Sequence, residues 1–291
     1  MHPLPPTILL TGLPRSGTTL ACVLLNECPD TVALAEPLSL TRHGDRDRAV
    51  AEIETFIALT RDQILRDGTA FSTHVGGLIP DNWAEEPDPA GGLRHSRAEH
   101  GLIRITAPLT PQFRLILKQP GEFSALADLL APRYPLLALV RHPLAVLASW
   151  QTVAFPVHHG HMPVAELFNP ELAATLARVP DRLERQVALI GWLLTLYRQL
   201  PPDQVLRYED LIATPERVLA RFGVTAARPL RPLRPESPAL RYPGLDLRPL
   251  AAALWKISPL CEPFYPDFTA SLEKTLQGEA PTLLATAGRK F

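Results

Sequence analysis

Arg15 stands inside Gly12-Leu13-Pro14-Arg15-Ser16-Gly17-Thr18-Thr19, a glycine-bearing turn. Before it runs the β-type segment Thr7-Ile8-Leu9-Leu10-Thr11, and after it comes a helical pattern of apolar residues at Leu20, Val23, Leu24 and Leu25. Such a turn makes an anion cradle, because the free backbone N–H groups at a helix start and the positive end of the helix dipole both point into it. The Arg15 guanidinium suits a terminal anionic group, and the hydroxyls and amides of Thr18 and Thr19 suit an inner phosphate. The glycine spacing fits the phosphate-loop pattern, yet Thr18 follows Gly17 where a lysine ordinarily reaches the outer phosphates of a nucleoside triphosphate. That substitution argues against an ordinary ATPase or GTPase. A second candidate anion site is Arg141 with Ser149, eight residues on. Taken singly, the first motif also admits a purely structural turn. The second admits an arginine paired with a surface carboxylate beside a solvent-facing serine.

The elements around these residues read as an α/β chain. Pro135-Leu136-Leu137-Ala138-Leu139-Val140 is a short apolar run of the kind a buried parallel strand shows, and Pro143 suits the first position of a following helix. Arg141 then leaves the carboxyl end of a strand, where open α/β sheets bind ligands. At about 3.6 residues per turn, Ser149 lies some two turns along the next helix and can share one anion with Arg141. Asp30 to Ala35 reads as a second short strand ending at Glu36-Pro37, and Arg114 to Leu117 as a strand ending at Lys118-Gln119-Pro120. Helices are predicted over Arg46 to Arg66, Asp181 to Gln199 and Leu250 to Ile257 from the spacing of their apolar residues, with another starting at Thr214-Pro215-Glu216.

Two motifs in this order carry a resemblance. The turn around Arg15 resembles the 5′-phosphosulfate loop of sulfotransferases that use 3′-phosphoadenosine-5′-phosphosulfate (PAPS), especially the tyrosylprotein and carbohydrate branch. Leu139-Val140-Arg141-His142-Pro143-Leu144-Ala145-Val146-Leu147-Ala148-Ser149 resembles that family's 3′-phosphate motif. A weaker third match, Gln204-Val205-Leu206-Arg207-Tyr208-Glu209-Asp210-Leu211, resembles its late strand and Tyr-Glu pair, and the matching segments run from Thr7 to Phe222. The resemblance implies a phosphate-loop-type three-layer fold, a central parallel sheet with helices on both faces. It also implies sulfuryl transfer from PAPS to an acceptor hydroxyl. Arg15, Ser16, Gly17, Thr18 and Thr19 would hold the 5′-phosphosulfate, Arg141 and Ser149 the 3′-phosphate, and Tyr208 the adenine side. Glu36 falls where the tyrosylprotein branch has its catalytic glutamate and is the expected general base, with capping or pairing to Arg15 as its plain alternatives. Lys118 would neutralise the bridging oxygen as the sulfuryl group leaves, while Arg15 holds the equatorial oxygens. Cytosolic small-molecule sulfotransferases place a histidine base near this lysine. Gln119 stands there instead, which further favours Glu36 and leaves His74 in reserve.

A single domain over residues 1–291 is expected, since no linker-like break separates the motifs and a hydrophobic content of 46% supports a substantial core. The formal net charge of −1 gives no global field for nucleic acid or an anionic membrane, so attraction for a bisphosphorylated ligand must be local. Cys22, Cys28 and Cys261 form neither an even disulfide set nor a Cys-x-x-Cys pair. With no leader-like start and no run of transmembrane length, the chain is expected to be soluble and cytoplasmic. Residues 70–100, rich in glycine, proline and acid, read as a long irregular insertion on the acceptor side, with disorder as the alternative. His158-His159-Gly160-His161 lacks an acidic or cysteine partner at ligand spacing, so no metal is expected, and a place at the border of the acceptor site is left open to the cluster. Residues 226–249 alternate proline and arginine, which suits a flap over phosphates or a solvated linker. The acceptor is expected to be a small molecule or a glycan. Two rival functions are an ATP-dependent small-molecule kinase and a non-catalytic nucleotide-binding module.

Overall fold

The computed structural model describes residues 6–40, 44–86, 92–230, 232–233, 242 and 244–279. Its main sheet contains β1 (Thr7–Gly12), β2 (Thr31–Ala35), β5 (Arg114–Lys118), β6 (Leu136–Val140) and β7 (Val205–Arg207), in the order β2-β5-β1-β6-β7. Every pairing is parallel. Strands β1, β2 and β6 are buried at every position, which is why they read as unbroken apolar runs. Alternate residues then feed two cores. Leu9, Val32, Leu34, Leu115, Leu117 and Val140 face one, shared with the helices Pro143–Trp150 and Arg182–Tyr197. Ile8, Leu10, Ala33, Ile116, Leu137 and Leu206 face the other, shared with the helices Thr18–Asn26 and Tyr208–Ala213. The result is a three-layer α/β fold with a phosphate-loop-type turn after its central strand.

Register decides what meets at the carboxyl edge. Lys118 pairs with Leu10 of β1 on one side and with Ala35 of β2 on the other, and Leu139 pairs with Gly12. The residues following β1, β2 and β6 and the end of β5 therefore emerge along one edge, with β1 in the middle. A Cβ on Gly12 would come within 2.2 Å of the Leu139 carbonyl oxygen, so β1 and β6 close up there only because residue 12 is glycine.

Predicted helices hold with small shifts. Arg46–Asp67 is capped by the Asp45 side chain, which accepts from the Arg48 N–H, and closes on Gly68 at φ 64°. Arg182–Tyr197 is capped in the same way by Asp181. The late motif is a shorter strand than expected: β7 stops at Arg207, and Tyr208 opens a helix. Thr214 precedes the helix Pro215–Leu219, but its hydroxyl donates back to the Asp210 carbonyl and caps nothing. Towards the C-terminus a helix spans Arg248–Leu254 and a 3₁₀ turn follows over Trp255–Ile257.

The irregular reading of residues 70–100 needs correcting at both ends. β3 (Thr69–His74) and β4 (Glu99–Arg104) pair antiparallel as a separate two-stranded sheet. The inward positions of β3 are Ala70, Ser72 and His74, too small or polar to produce an alternating apolar signal. Ser72 Oγ accepts from the Ala35 N–H at 3.1 Å, which fastens this sheet to the end of β2. Residues 87–91 lie outside the described residues, as do Arg231, Arg234 and Arg241 of the flap expectation.

Candidate active site

A cavity of about 860 Å³ opens at the carboxyl edge of the sheet, and Arg15, Gly17, Thr18, Thr19, Glu36, Lys118, Arg141 and Tyr208 all line it. Eight of the ten residues expected to act in catalysis or to hold the ligand thus share one groove. The other two, Ser16 and Ser149, lie beneath it: each is at most 1% exposed. Ser149 does not stand open beside Arg141 as expected. Its Oγ accepts from Arg15 Nε at 3.2 Å, so it ties the Arg15 loop to the helix that follows Arg141. Ser16 Oγ is buried with no hydrogen-bond partner among the described residues.

The loop is held from several sides. Trp150 Nε1 donates to the Pro14 carbonyl at 2.9 Å, and Arg141 donates to the Arg15 carbonyl at 3.3 Å. The Arg15 guanidinium donates to Asn82 Oδ1 at 2.7 Å and lies 5.7 Å from the centre of the Phe155 ring. Arg15 itself has φ 74°, a left-handed conformation that costs about 1–3 kcal/mol for a residue with a side chain and needs such bracing. Gly17 is the N-cap of Thr18–Asn26 at φ 93°, with no side-chain cap among the described residues, so the first-turn amides are free for an anion. A Cβ on Gly17 would sit 2.4 Å from Tyr208 Cδ2, so glycine is what lets the tyrosine ring lie against the loop. Across that ring, Arg141 Cζ stands 4.5 Å from its centre.

Glu36 and Lys118 meet because β2 and β5 are neighbours. Their side chains form an ion pair in which the lysine is 3% exposed and the glutamate 40%, so the carboxylate faces the cavity while the ammonium forms its floor. Lys118 Nζ also donates to Thr19 Oγ1 at 3.3 Å and lies 5.8 Å from the Trp83 ring centre. Glu36 has φ 47°, and its backbone is pinned by its own N–H on the Lys118 carbonyl at 2.6 Å and by Thr73 Oγ1 on its carbonyl at 3.0 Å. The ion pair that Glu36 makes here is with Lys118.

Burial sets the charge of the neighbours. Glu122, on the helix Pro120–Ala125, lines the same cavity. Burial drives its carboxyl up to about 7, with Glu36 adding to the rise and Lys118 opposing it. Burial, assisted by Arg141, pushes His142 down to about 3, so its imidazole is neutral. Cys22 is pushed up to about 12 by burial and is a packed thiol rather than a nucleophile.

The histidines singled out earlier divide. His74 Nδ1 accepts from the Gly77 N–H at 3.1 Å, which gives it a structural task in the turn. His161 lines the cavity with its Nδ1 against Glu166, whereas His158 is held by the Trp150 carbonyl and Arg182. Among the described residues no group of three or more His, Cys, Asp or Glu could hold a metal ion, and no helix is long and apolar enough to cross a membrane. Asn82, Trp83, Phe155 and Glu122 were missed from sequence. Asn82 and Trp83 fall inside the stretch assigned to the acceptor side, but no residue pattern marks them individually.

A family model described as the sulfotransferase family matches residues 6–222. Nodulation protein NoeE of Sinorhizobium fredii (strain NBRC 101917 / NGR234) is 26% identical over 242 residues, which make up 78% of this chain and 52% of that protein. The chain therefore spans about half the length of this curated relative. Among solved structures, a sulfotransferase domain from the curacin biosynthetic pathway aligns over 75% of this chain and 72% of its own, at 17% identity and a TM-score of 0.36. Sulfotransferase STF1 from Mycobacterium tuberculosis H37Rv aligns over 86% of this chain and 76% of its own, at 15% identity and a TM-score of 0.35.

Proposed function

This chain belongs to the sulfotransferase family, and from that premise we propose that it transfers a sulfuryl group from PAPS to a hydroxyl of a small-molecule or glycan acceptor. One observation carries the reading: Arg15, Glu36, Lys118 and Arg141, which leave four different strands, converge on a single cavity. The turn from Arg15 to Thr19 takes the 5′-phosphosulfate on its amides, hydroxyls and guanidinium. Arg141 takes the 3′-phosphate, and Tyr208, already between Arg141 and the loop, offers its ring to the adenosine. Ser149 acts by steering Arg15 rather than by meeting the anion.

In the transfer the acceptor oxygen forms a bond to sulfur while the bond from sulfur to the bridging phosphate oxygen breaks. The acceptor proton passes to the Glu36 carboxylate, whose exposed side faces the cavity. Lys118 turns from Glu36 towards the bridging oxygen as negative charge grows there, and the Arg15 guanidinium stabilises the equatorial sulfuryl oxygens. The catalysis is thus positioning and electrostatics, with the positive field supplied by arginine, lysine and backbone amides and without a metal. On the acceptor side, Trp83, His100 and His161 line the cavity, so the segments around Trp83 and His100 and the loop after Pro143–Trp150 shape acceptor choice.

The test is a calorimetric titration with adenosine 3′,5′-bisphosphate followed by an acceptor screen using PAPS carrying labelled sulfate. Saturable binding and label transfer to an acceptor support the proposal. Failure to bind the bisphosphate, or Mg²⁺-dependent ATP turnover in its place, would overturn it.

A further inference from the structure

The corner at Arg141 is backed by a buried polar network that the transfer itself does not use. Glu209 is 8% exposed, and its carboxylate bridges two donors: Oε1 accepts from the backbone N–H of His142 at 2.9 Å and Oε2 from the Tyr265 hydroxyl at 2.9 Å. Behind them Ser271 Oγ donates to the Phe268 carbonyl at 2.7 Å, so His142 must donate from Nε2 to Ser271 Oγ at 3.0 Å. The imidazole is packed between the rings of Tyr265 and Phe268, with centres 5.2 and 5.0 Å away. Tyr265, Phe268 and Ser271 all lie beyond residues 6–222, the stretch that matches the family model. The support for this corner therefore comes from a part of the chain outside that match.

We propose that Glu209 is a positioning residue for the 3′-phosphate: it fixes the Arg141–His142 peptide through the His142 N–H, and Tyr265 holds its carboxylate in place. This rests on the reading of Arg141 as the 3′-phosphate ligand. The His142 N–H is buried, and without Glu209 it has to find another acceptor by moving the backbone that carries Arg141. Tyr208, the residue before Glu209, stacks on the Arg141 guanidinium, so one helix start delivers both the ring against the side chain and the carboxylate behind the main chain. The role is geometric rather than electrostatic, because a carboxylate beside a phosphate site repels the ligand. An uncharged acceptor of the same shape should therefore serve.

The experiment compares adenosine 3′,5′-bisphosphate with adenosine 5′-monophosphate by calorimetry, alongside thermal unfolding, for wild type, Glu209→Ala, Glu209→Gln and Tyr265→Phe. Wild type should prefer the bisphosphate. Glu209→Ala should cut that preference about tenfold or more with monophosphate affinity little changed, Tyr265→Phe should cut it about threefold, and Glu209→Gln should restore most of it. If both ligands weaken by the same factor, or the preference survives in Glu209→Ala, Glu209 does not position Arg141 and the proposal falls. Should Glu209→Ala fail to fold, Tyr265→Phe carries the comparison alone, and an unchanged preference there overturns the proposal. A wild type without preference for the bisphosphate instead removes the reading of Arg141, and the positioning role with it.

Discussion

Replacing Glu122 by glutamine should stabilise this protein at neutral and alkaline pH and do almost nothing below about pH 4. Glu122 is 6% exposed on the helix that begins immediately after Lys118 and Gln119, and burial raises its carboxyl from an ordinary 4.5 to about 7. Below 4.5 the group is protonated in both folded and unfolded chains and contributes no pH dependence. Between 4.5 and 7 the unfolded chain releases the proton while the folded chain keeps it, so stability falls as pH rises; above 7 the full penalty applies. A displacement from 4.5 to about 7, at about 1.4 kcal/mol per unit, makes that penalty about 3 kcal/mol at pH 8 and about 1 kcal/mol at pH 5. Glutamine keeps the shape and hydrogen-bonding capacity while removing the ionisation. Urea unfolding of both proteins across this range reads the difference, which corresponds to a Tm gain of roughly 6–12 °C at pH 8. A gap that stays constant from pH 5 to 8, or a glutamine variant less stable than wild type at pH 8, would refute the reasoning.

Three further substitutions probe the cavity. Gly17→Ala puts a methyl group 2.4 Å from Tyr208 Cδ2 on a backbone at φ 93°, so it should cost about 1–3 kcal/mol in denaturant unfolding and weaken adenosine 3′,5′-bisphosphate in calorimetry. Glu36→Gln should lower kcat by roughly 100-fold or more in a labelled-sulfate assay while leaving bisphosphate affinity nearly intact; turnover at the wild-type rate would remove Glu36 as the base. Arg141→Ala should weaken the bisphosphate by about tenfold or more in a titration that leaves adenosine 5′-monophosphate little affected, and equal loss of both would contradict the 3′-phosphate assignment.

How much of this was legible beforehand follows from what each residue depends on. β1, β2 and β6 could be read because both faces of each strand are buried, so local sequence alone records their environment. The helix Arg46–Asp67 was readable from its one-sided apolar spacing. β3 was hidden because its inner side is Ala70, Ser72 and His74, whose burial is arranged by β2 and the helix Arg46–Asp67 rather than by their own hydrophobicity. At the site, Arg15, Glu36, Lys118 and Arg141 were visible as charged residues at strand ends. That Glu36 pairs with Lys118 follows from β2 lying beside β5, an order that no stretch of sequence encodes locally. Asn82 is further still from local reading, since it meets Arg15 across 67 positions of chain.

Backbone strain links the two anchors more directly than the side chains do. Among the described residues, the non-glycine positions with positive φ are Arg15, Asp30 and Glu36, and two of these line the cavity. A left-handed arginine turns its carbonyl towards Arg141, which donates to it, so the loop conformation that aims Arg15 also sets the position of the second guanidinium. The N–H of the left-handed Glu36 donates to the Lys118 carbonyl, so the residue whose conformation aims the carboxylate is anchored to the strand carrying Lys118. Each strained residue is therefore over-determined by bonds to the neighbour it must work with, and strain maintained in this way is a cost met during folding rather than at ligand binding. Relaxing either conformation would leave the charged groups in the cavity but uncouple their directions. For the proposed sulfuryl transfer, which would depend on positioning and electrostatics, that loss would be as damaging as deleting a charge.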